Sequence, residues 1–255
     1  MINKVPRVTL LFWIIKVFAT TVGETAADFL ATSLRFGLAN TSYLMSGVFL
    51  IALLVQLSLK KYVPGVYWTV VVLISVVGTL LSDTLVDKLG VGLRTSTIVF
   101  AIALAAVFFF WWFSERTLSV HKIHTTRREL FYWAAILFTF ALGTSAGDLV
   151  SEAFGLGYTT AALIFAAAIG VTASAYFVLK VDGVLAFWIA YVLTRPLGAS
   201  MGDLLAQPVK DGGLGFGTTT TSAAFFAVII GLVIYLTLGR KDDLMRRGMK
   251  GASAS

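Results

Sequence analysis

The chain has 255 residues, 58% of them hydrophobic and only 13% charged, whereas a soluble domain carries about a quarter charged residues. With a mean hydropathy of +0.89, there are too few polar side chains to cover a water-facing surface, which excludes an ordinary cytosolic enzyme and a disordered chain. The absence of cysteine excludes a disulfide scaffold, thiolate metal sites and thiol catalysis.

A helix needs about 20 mostly apolar residues to cross a hydrocarbon layer about 30 Å thick. Eight stretches qualify, near 8–30, 41–59, 64–86, 95–113, 130–151, 158–179, 183–205 and 218–239. The first contains Lys16, Glu24 and Asp28 and lacks a small-residue cleavage site, so it reads as a span and not as a cleavable signal peptide. The runs are long and lack the period-2 alternation of a barrel. The expected fold is all-α: a polytopic membrane protein with four spans in residues 1–113, a polar linker at 114–129, four more spans in 130–239 and a tail at 240–255.

The net charge of +7 is then read by position. The N-terminus, the connections near 60–63, 114–129 and 180–182, and the tail hold fourteen of the twenty cations; the opposite side holds only Arg35, Lys88, Arg94 and Lys210. Positive charge collects on the cytoplasmic side, so both termini are expected in the cytoplasm of a cell (inner) membrane. The basic charge is an orientation signal, and no nucleic-acid partner is expected.

One unit recurs four times. Trp13, Trp68, Trp133 and Trp188 are each followed ten residues later by Gly23, Gly78, Gly143 and Gly198. Five residues on come Asp28, Asp83, Asp148 and Asp203, and nine further Gly37, Gly92, Gly157 and Gly212. Each repeat is a helix carrying Trp, Gly and Asp, a Gly-containing loop and a plainer helix. Two spans return the chain to its starting side, so the four repeats are parallel about an axis along the membrane normal, unlike inverted repeats.

The segments 23–28 (GETAAD), 78–83 (GTLLSD), 143–148 (GTSAGD) and 198–203 (GASMGD) carry a resemblance over about residues 10–239. The chain resembles a bacterial family of membrane proteins built from a repeat of unknown function, often labelled uncharacterised membrane-anchored proteins. The likeness implies fold and location and supplies no chemistry.

Small residues four apart share a helix face: Gly23/Ala27, Gly78/Ser82, Gly143/Gly147 and Gly198/Gly202. In lipid they let backbones approach closely, so the odd-numbered helices are expected to form an inner bundle. The aspartates admit two readings. A carboxylate at mid-bilayer costs roughly 2.5–3.5 kcal/mol, so such acids face a partner or a cavity; alternatively, each accepts hydrogen bonds from its following loop. The residue four before each aspartate is Glu24, Thr79, Thr144 or Ala199, and only the fourth repeat carries a deep base, Arg195, followed by Pro196. Arg195 is expected to pair with Glu24 or an aspartate, whereas Lys16, three residues past Trp13, is expected to snorkel to the interface.

Five acids (Glu24 and the four aspartates) against Lys16 and Arg195 leave an excess of negative charge, to be met by protons or bound cations. Carboxylates with the hydroxyls of Thr79, Thr144 and Ser200 suit hard cations such as Mn²⁺ or Mg²⁺. The five acids are thus candidate metal ligands. Asp87 and Glu152 are interface acids that would funnel cations inward. His121 and His124 read as solvated linker residues and the 240–247 cluster as a contact for anionic headgroups. With no Ser/His/Asp set or HExxH motif, an enzyme is not expected, and no cofactor is indicated. The expected function is transport of a small cation, with or without coupling to protons, across the lipid bilayer; the alternative is a non-transporting scaffold or partner subunit whose aspartates are structural.

Overall fold

A computed structural model describes residues 3–252, with side-chain surroundings for residues 3–239. Eight α-helices make up the fold: α1 Leu10–Asp28, α2 Leu38–Ser58, α3 Pro64–Asp83, α4 Leu93–Glu115, α5 Thr126–Asp148, α6 Gly157–Phe177, α7 Gly183–Ala206 and α8 Thr218–Ala252. All eight are long and apolar enough to cross a membrane, and the described residues contain no strand. The side chains of the basic 240–247 cluster lie outside the described residues.

Helix-starting residues fix where the odd helices begin. The Thr9 and Thr125 hydroxyls accept from Phe12 N and Arg128 N, and the Asp182 carboxylate accepts from Val184 N and Leu185 N, each satisfying a donor the first turn leaves unpaired. Pro64 occupies the first turn of α3, where its missing N–H costs nothing. At the far end of α1, α3 and α5 the aspartate is the last α-helical residue. A π-helical turn follows it, at Phe29–Ser33, Thr84–Lys88 and Leu149–Ala153. The fourth repeat lacks this turn because Pro208 stands where the others have a residue with an N–H. There Leu204 O instead accepts from Leu214 N at 2.7 Å, across a longer loop.

The odd helices form a closed inner ring in the order α1–α3–α5–α7, with α7 against α1. Between 56% and 61% of each odd span's most apolar window is buried, against 6% to 22% for the even spans, whose apolar faces are left for lipid. Each even helix packs on the odd helix of the following repeat: α2 on α3, α4 on α5, α6 on α7 and α8 on α1. The structural unit is therefore offset by one helix from the sequence repeat, which lets the ring close.

The glycines set this spacing, and here close approach requires them. A Cβ at Gly23 would stand 2.5 Å from Cβ of Ser75, one at Gly78 2.5 Å from that of Phe140, one at Gly143 2.5 Å from that of Arg195, and one at Gly198 2.7 Å from that of Thr20. The four partners all lie eight residues before a repeat aspartate, so one contact recurs around the ring. Gly147 backs onto Pro196 and Gly202 onto Glu24 and Thr25; Ala27 is buried, and Ser82 Oγ meets Ser145 Oγ at 2.7 Å.

The 114–129 segment is more than a solvated connector. α4 runs on to Glu115 and α5 starts at Thr126. Between them Val120 and Ile123 are buried, while His121 is exposed and His124 partly so. Asn3 Nδ2 donates to Val120 O, its Oδ1 accepts from Ile123 N, and Lys4 N donates to Ile123 O. The N-terminal segment and the linker thus cap the tryptophan end together.

Candidate functional site

Successive turns of the four odd helices stack side chains in layers along the ring axis, and departures from fourfold likeness concentrate in two of them. Eight residues before the aspartates stand Thr20, Ser75, Phe140 and Arg195; four before stand Glu24, Thr79, Thr144 and Ala199. Arg195 is fully buried and reaches into the second layer. Its Nη1 donates to Thr20 O at 2.8 Å, and its Nη2 donates to Glu24 Oε2 at 2.9 Å and Thr144 Oγ1 at 2.8 Å. Nη2 also donates to Thr79 Oγ1, which itself donates to Glu24 Oε2 at 3.3 Å. One guanidinium therefore ties α7 to α1, α3 and α5, as its forked donors permit. Ala199, on α7 itself and fully buried, leaves room for it. The expected pairing of Arg195 with Glu24 is present, and Thr79 and Thr144 complete it.

Lys16 does not snorkel. It is fully buried, with Nζ 4.1 Å from the Phe140 ring centroid and 4.3 Å from that of Tyr191. No hydrogen-bond acceptor reaches it. Its distance past Trp13 measures depth and says nothing of direction: Lys16 shares the inward face with Ile15, Ala19 and Thr20, all fully buried. Tyr191 stands beside it in the same layer, and Phe12, Trp68 and Phe187 one layer below pack with that ring and bar the way out. The tryptophans themselves belong to this plug; Trp68, Trp133 and Trp188 are buried.

Beyond the Arg195 layer stand the four aspartates. Asp203 is 7% exposed and the other three are half-buried. All four lie within electrostatic reach of Glu24, and of one another around the ring. Their protein partners are few. Among the described residues no backbone N–H donates to any of the four side chains and no cation pairs with them; the single hydrogen bond is Gln207 Nε2 to Asp28 Oδ2 at 3.4 Å. A loop-pinning role for these aspartates has this one contact, from Gln207 at the start of the loop after α7, to rest on. Asp87 and Glu152 are exposed beyond this ring, Glu152 accepting from the Tyr158 hydroxyl at 3.4 Å.

Among the described residues no three acids or histidines are placed to hold one metal ion directly. Glu24 is engaged by Arg195, and Asp28, Asp83, Asp148 and Asp203 are carried on four different helices around the ring. Ser200 is buried with no partner for its hydroxyl.

Two polar clusters escaped the sequence reading. At the tryptophan end Lys4 Nζ and Glu129 Oε2 form a buried ion pair at 2.6 Å; Gln56 Nε2 donates to Glu129 Oε1 at 2.9 Å and Lys4 Nζ to Leu57 O at 3.0 Å. The only signal was Glu129 standing one turn before Trp133 on the inward face. The second cluster is Tyr67 and Tyr132, whose hydroxyls meet at 2.5 Å inside the plug; both lie one residue before a repeat tryptophan, where repeats 1 and 4 carry Phe12 and Phe187.

A family model described as "Repeat of Unknown Function (DUF347)" matches four segments, residues 11–62, 66–117, 131–182 and 186–242. No curated protein and no solved structure matches the chain.

Proposed function

The chain belongs to the DUF347 repeat family, and on that premise we propose that it is a carrier, not an enzyme, moving a small cation across the cytoplasmic membrane. Both termini lie in the cytoplasm and the aspartate ring faces outside, as the excess of cations at the tryptophan side favours. The observation that carries this reading is the poverty of partners around the four aspartates, which share one hydrogen bond and no ion pair. Carboxylates this far into a bundle need positive charge from somewhere, and here the protein supplies little.

The ion is a hard one that keeps water around it. Mg²⁺ gives up its hydration shell reluctantly and binds through one or two carboxylates, which suits acids of which no three among the described residues are placed to hold one ion together. Mn²⁺ and the proton share the preference for oxygen. Deeper in, a cation arriving at Glu24 competes with Arg195 for the same carboxylate, and the Arg195 layer closes the axis until that exchange is made.

The test is uptake of Mg²⁺ or Mn²⁺ into proteoliposomes. Replacing all four aspartates by asparagine is expected to lower flux at least tenfold while the protein still inserts; unchanged flux overturns the carrier. One observation favours a scaffold instead: a single guanidinium locks all four inner helices. That reading expects no flux from the native protein and no cation that raises its melting temperature.

A further inference from the structure

Three oxygens converge on one nitrogen of Arg195. Glu24 Oε2, Thr79 Oγ1 and Thr144 Oγ1 all accept from Nη2, the first at 2.9 Å and the last at 2.8 Å. They come from α1, α3 and α5, three corners of one layer, and the fourth corner is Ala199 on α7, which brings no side-chain oxygen. Both hydroxyls are turned to accept. Thr79 Oγ1 directs its own hydrogen to Ser75 O and Glu24 Oε2, each at 3.3 Å, and Thr144 Oγ1 donates to Phe140 O at 3.2 Å. Their lone pairs are thereby left for the nitrogen. The donor does not match this set. A guanidinium Nη carries two hydrogens, so one of the three oxygens receives none. Arg195 Nε, meanwhile, is buried with no acceptor among the described residues, and a buried donor left unpaired carries a penalty. A primary ammonium carries three hydrogens on one nitrogen and serves all three oxygens from a single point.

We propose that Glu24, Thr79 and Thr144 form a binding site for an ammonium group, either NH₄⁺ or the head of a small primary amine, and that Arg195 fills this site in the closed bundle. As cargo, such an ion rests on the carrier reading; as a bound ligand, it is independent of what Mg²⁺ or Mn²⁺ does at the aspartates. The exchange conserves charge, because one monovalent cation replaces another beside Glu24. A divalent ion there would leave positive charge unmatched at this depth, next to a displaced Arg195, and an unmatched charge away from water is costly. Ala199, fully buried at the fourth corner, has a side chain small enough to leave room for the substituent that the nitrogen carries.

The experiment follows isotope-labelled methylammonium into liposomes holding the full-length protein, with protein-free liposomes as the blank. Saturable uptake is expected, competed by NH₄⁺ and not by choline, whose nitrogen has no hydrogen to donate. K⁺ competing as well as NH₄⁺ overturns the site, since K⁺ directs no hydrogens. Thr144→Val separates the ligand from the lock. It removes one acceptor of three, and the two that remain match the two hydrogens of Nη2, so the variant is expected to insert and melt as the native protein does. Its half-saturating methylammonium concentration is expected to rise at least tenfold. An unchanged value overturns the site, and so does a melting temperature that falls together with uptake, because Thr144 is then part of the lock alone. Arg195→Met empties the site; it is expected to melt lower than the native protein and to recover with methylammonium but not with choline. If that variant fails to insert, native uptake and its weakening in Thr144→Val decide alone. Recovery of Arg195→Met, with no uptake of methylammonium or of divalent cations by the native protein, ends the carrier and keeps the site. Divalent uptake with neither methylammonium effect ends the site and keeps the carrier.

Discussion

The two ends of the inner bundle treat their carboxylates in opposite ways. At the tryptophan end Glu129 is fully buried and both its oxygens are engaged, by Lys4 and by Gln56. At the other end four carboxylates share one long hydrogen bond from Gln207. Both ends come from the same duplicated helix pair, so the difference is not one of fold. A buried ion that the protein satisfies itself is part of the structure, whereas a set of accessible acids with so few protein partners is open to a ligand from outside.

That contrast breaks most sharply at Glu129. Glu129→Met strands the Lys4 ammonium and the Gln56 amide, and losing one partner of a buried pair costs about 3–5 kcal/mol. A large fall in the detergent melting temperature is expected. Lys4→Met combined with Glu129→Met is expected to recover much of it, because the uncompensated charge goes too. A small effect of the single change would mean that water reaches this pair, and the two ends would then be alike.

A second probe separates the inner ring from the lipid-facing shell. Gly78→Val places a branched side chain where a Cβ alone would stand 2.5 Å from Cβ of Phe140, and overpacking of this kind costs typically about 1–3 kcal/mol or more. Gly47 on α2 has nothing within 4 Å, so Gly47→Ala is expected to shift stability by less than about 0.5 kcal/mol. Melting temperatures of the two variants, measured side by side, test whether the ring glycines set the helix spacing.

Much of this organisation could be read from residue spacing alone. The interval from tryptophan through glycine to aspartate gives depth and repeat number, and the cost of burying a lone guanidinium gives the Arg195–Glu24 pair. Direction around the helix axis is harder to read. Lys16 is at the depth of a snorkelling lysine, yet it points inward over Phe140 and Tyr191, and only the angular position of its neighbours shows this. Lys4 and Glu129 are 125 residues apart in segments whose composition reads as polar flanks; only ring closure brings them together. The one-helix offset, with α8 completing the first repeat's α1, is likewise invisible to a period that counts along the chain.

A small effect on stability, and the most informative one, is expected at the aspartates. If they held the loops, changing Asp28, Asp83, Asp148 and Asp203 together to asparagine would remove four supports and lower the melting temperature by an amount comparable to the Glu129 change. Among the described residues the one hydrogen bond to them is the long one from Gln207 Nε2 to Asp28, and like charges gathered around one axis repel, more strongly where water is scarce. Neutralising all four without changing their shape is therefore expected to alter stability by less than about 1 kcal/mol, or to raise it. The same variant should lose whatever stabilisation Mg²⁺ or Mn²⁺ gives the native protein, since a ligand that binds only the folded state raises apparent stability by mass action. A sharp fall in melting temperature for this variant, with no cation response in the native protein, would instead make the aspartates as structural as Glu129.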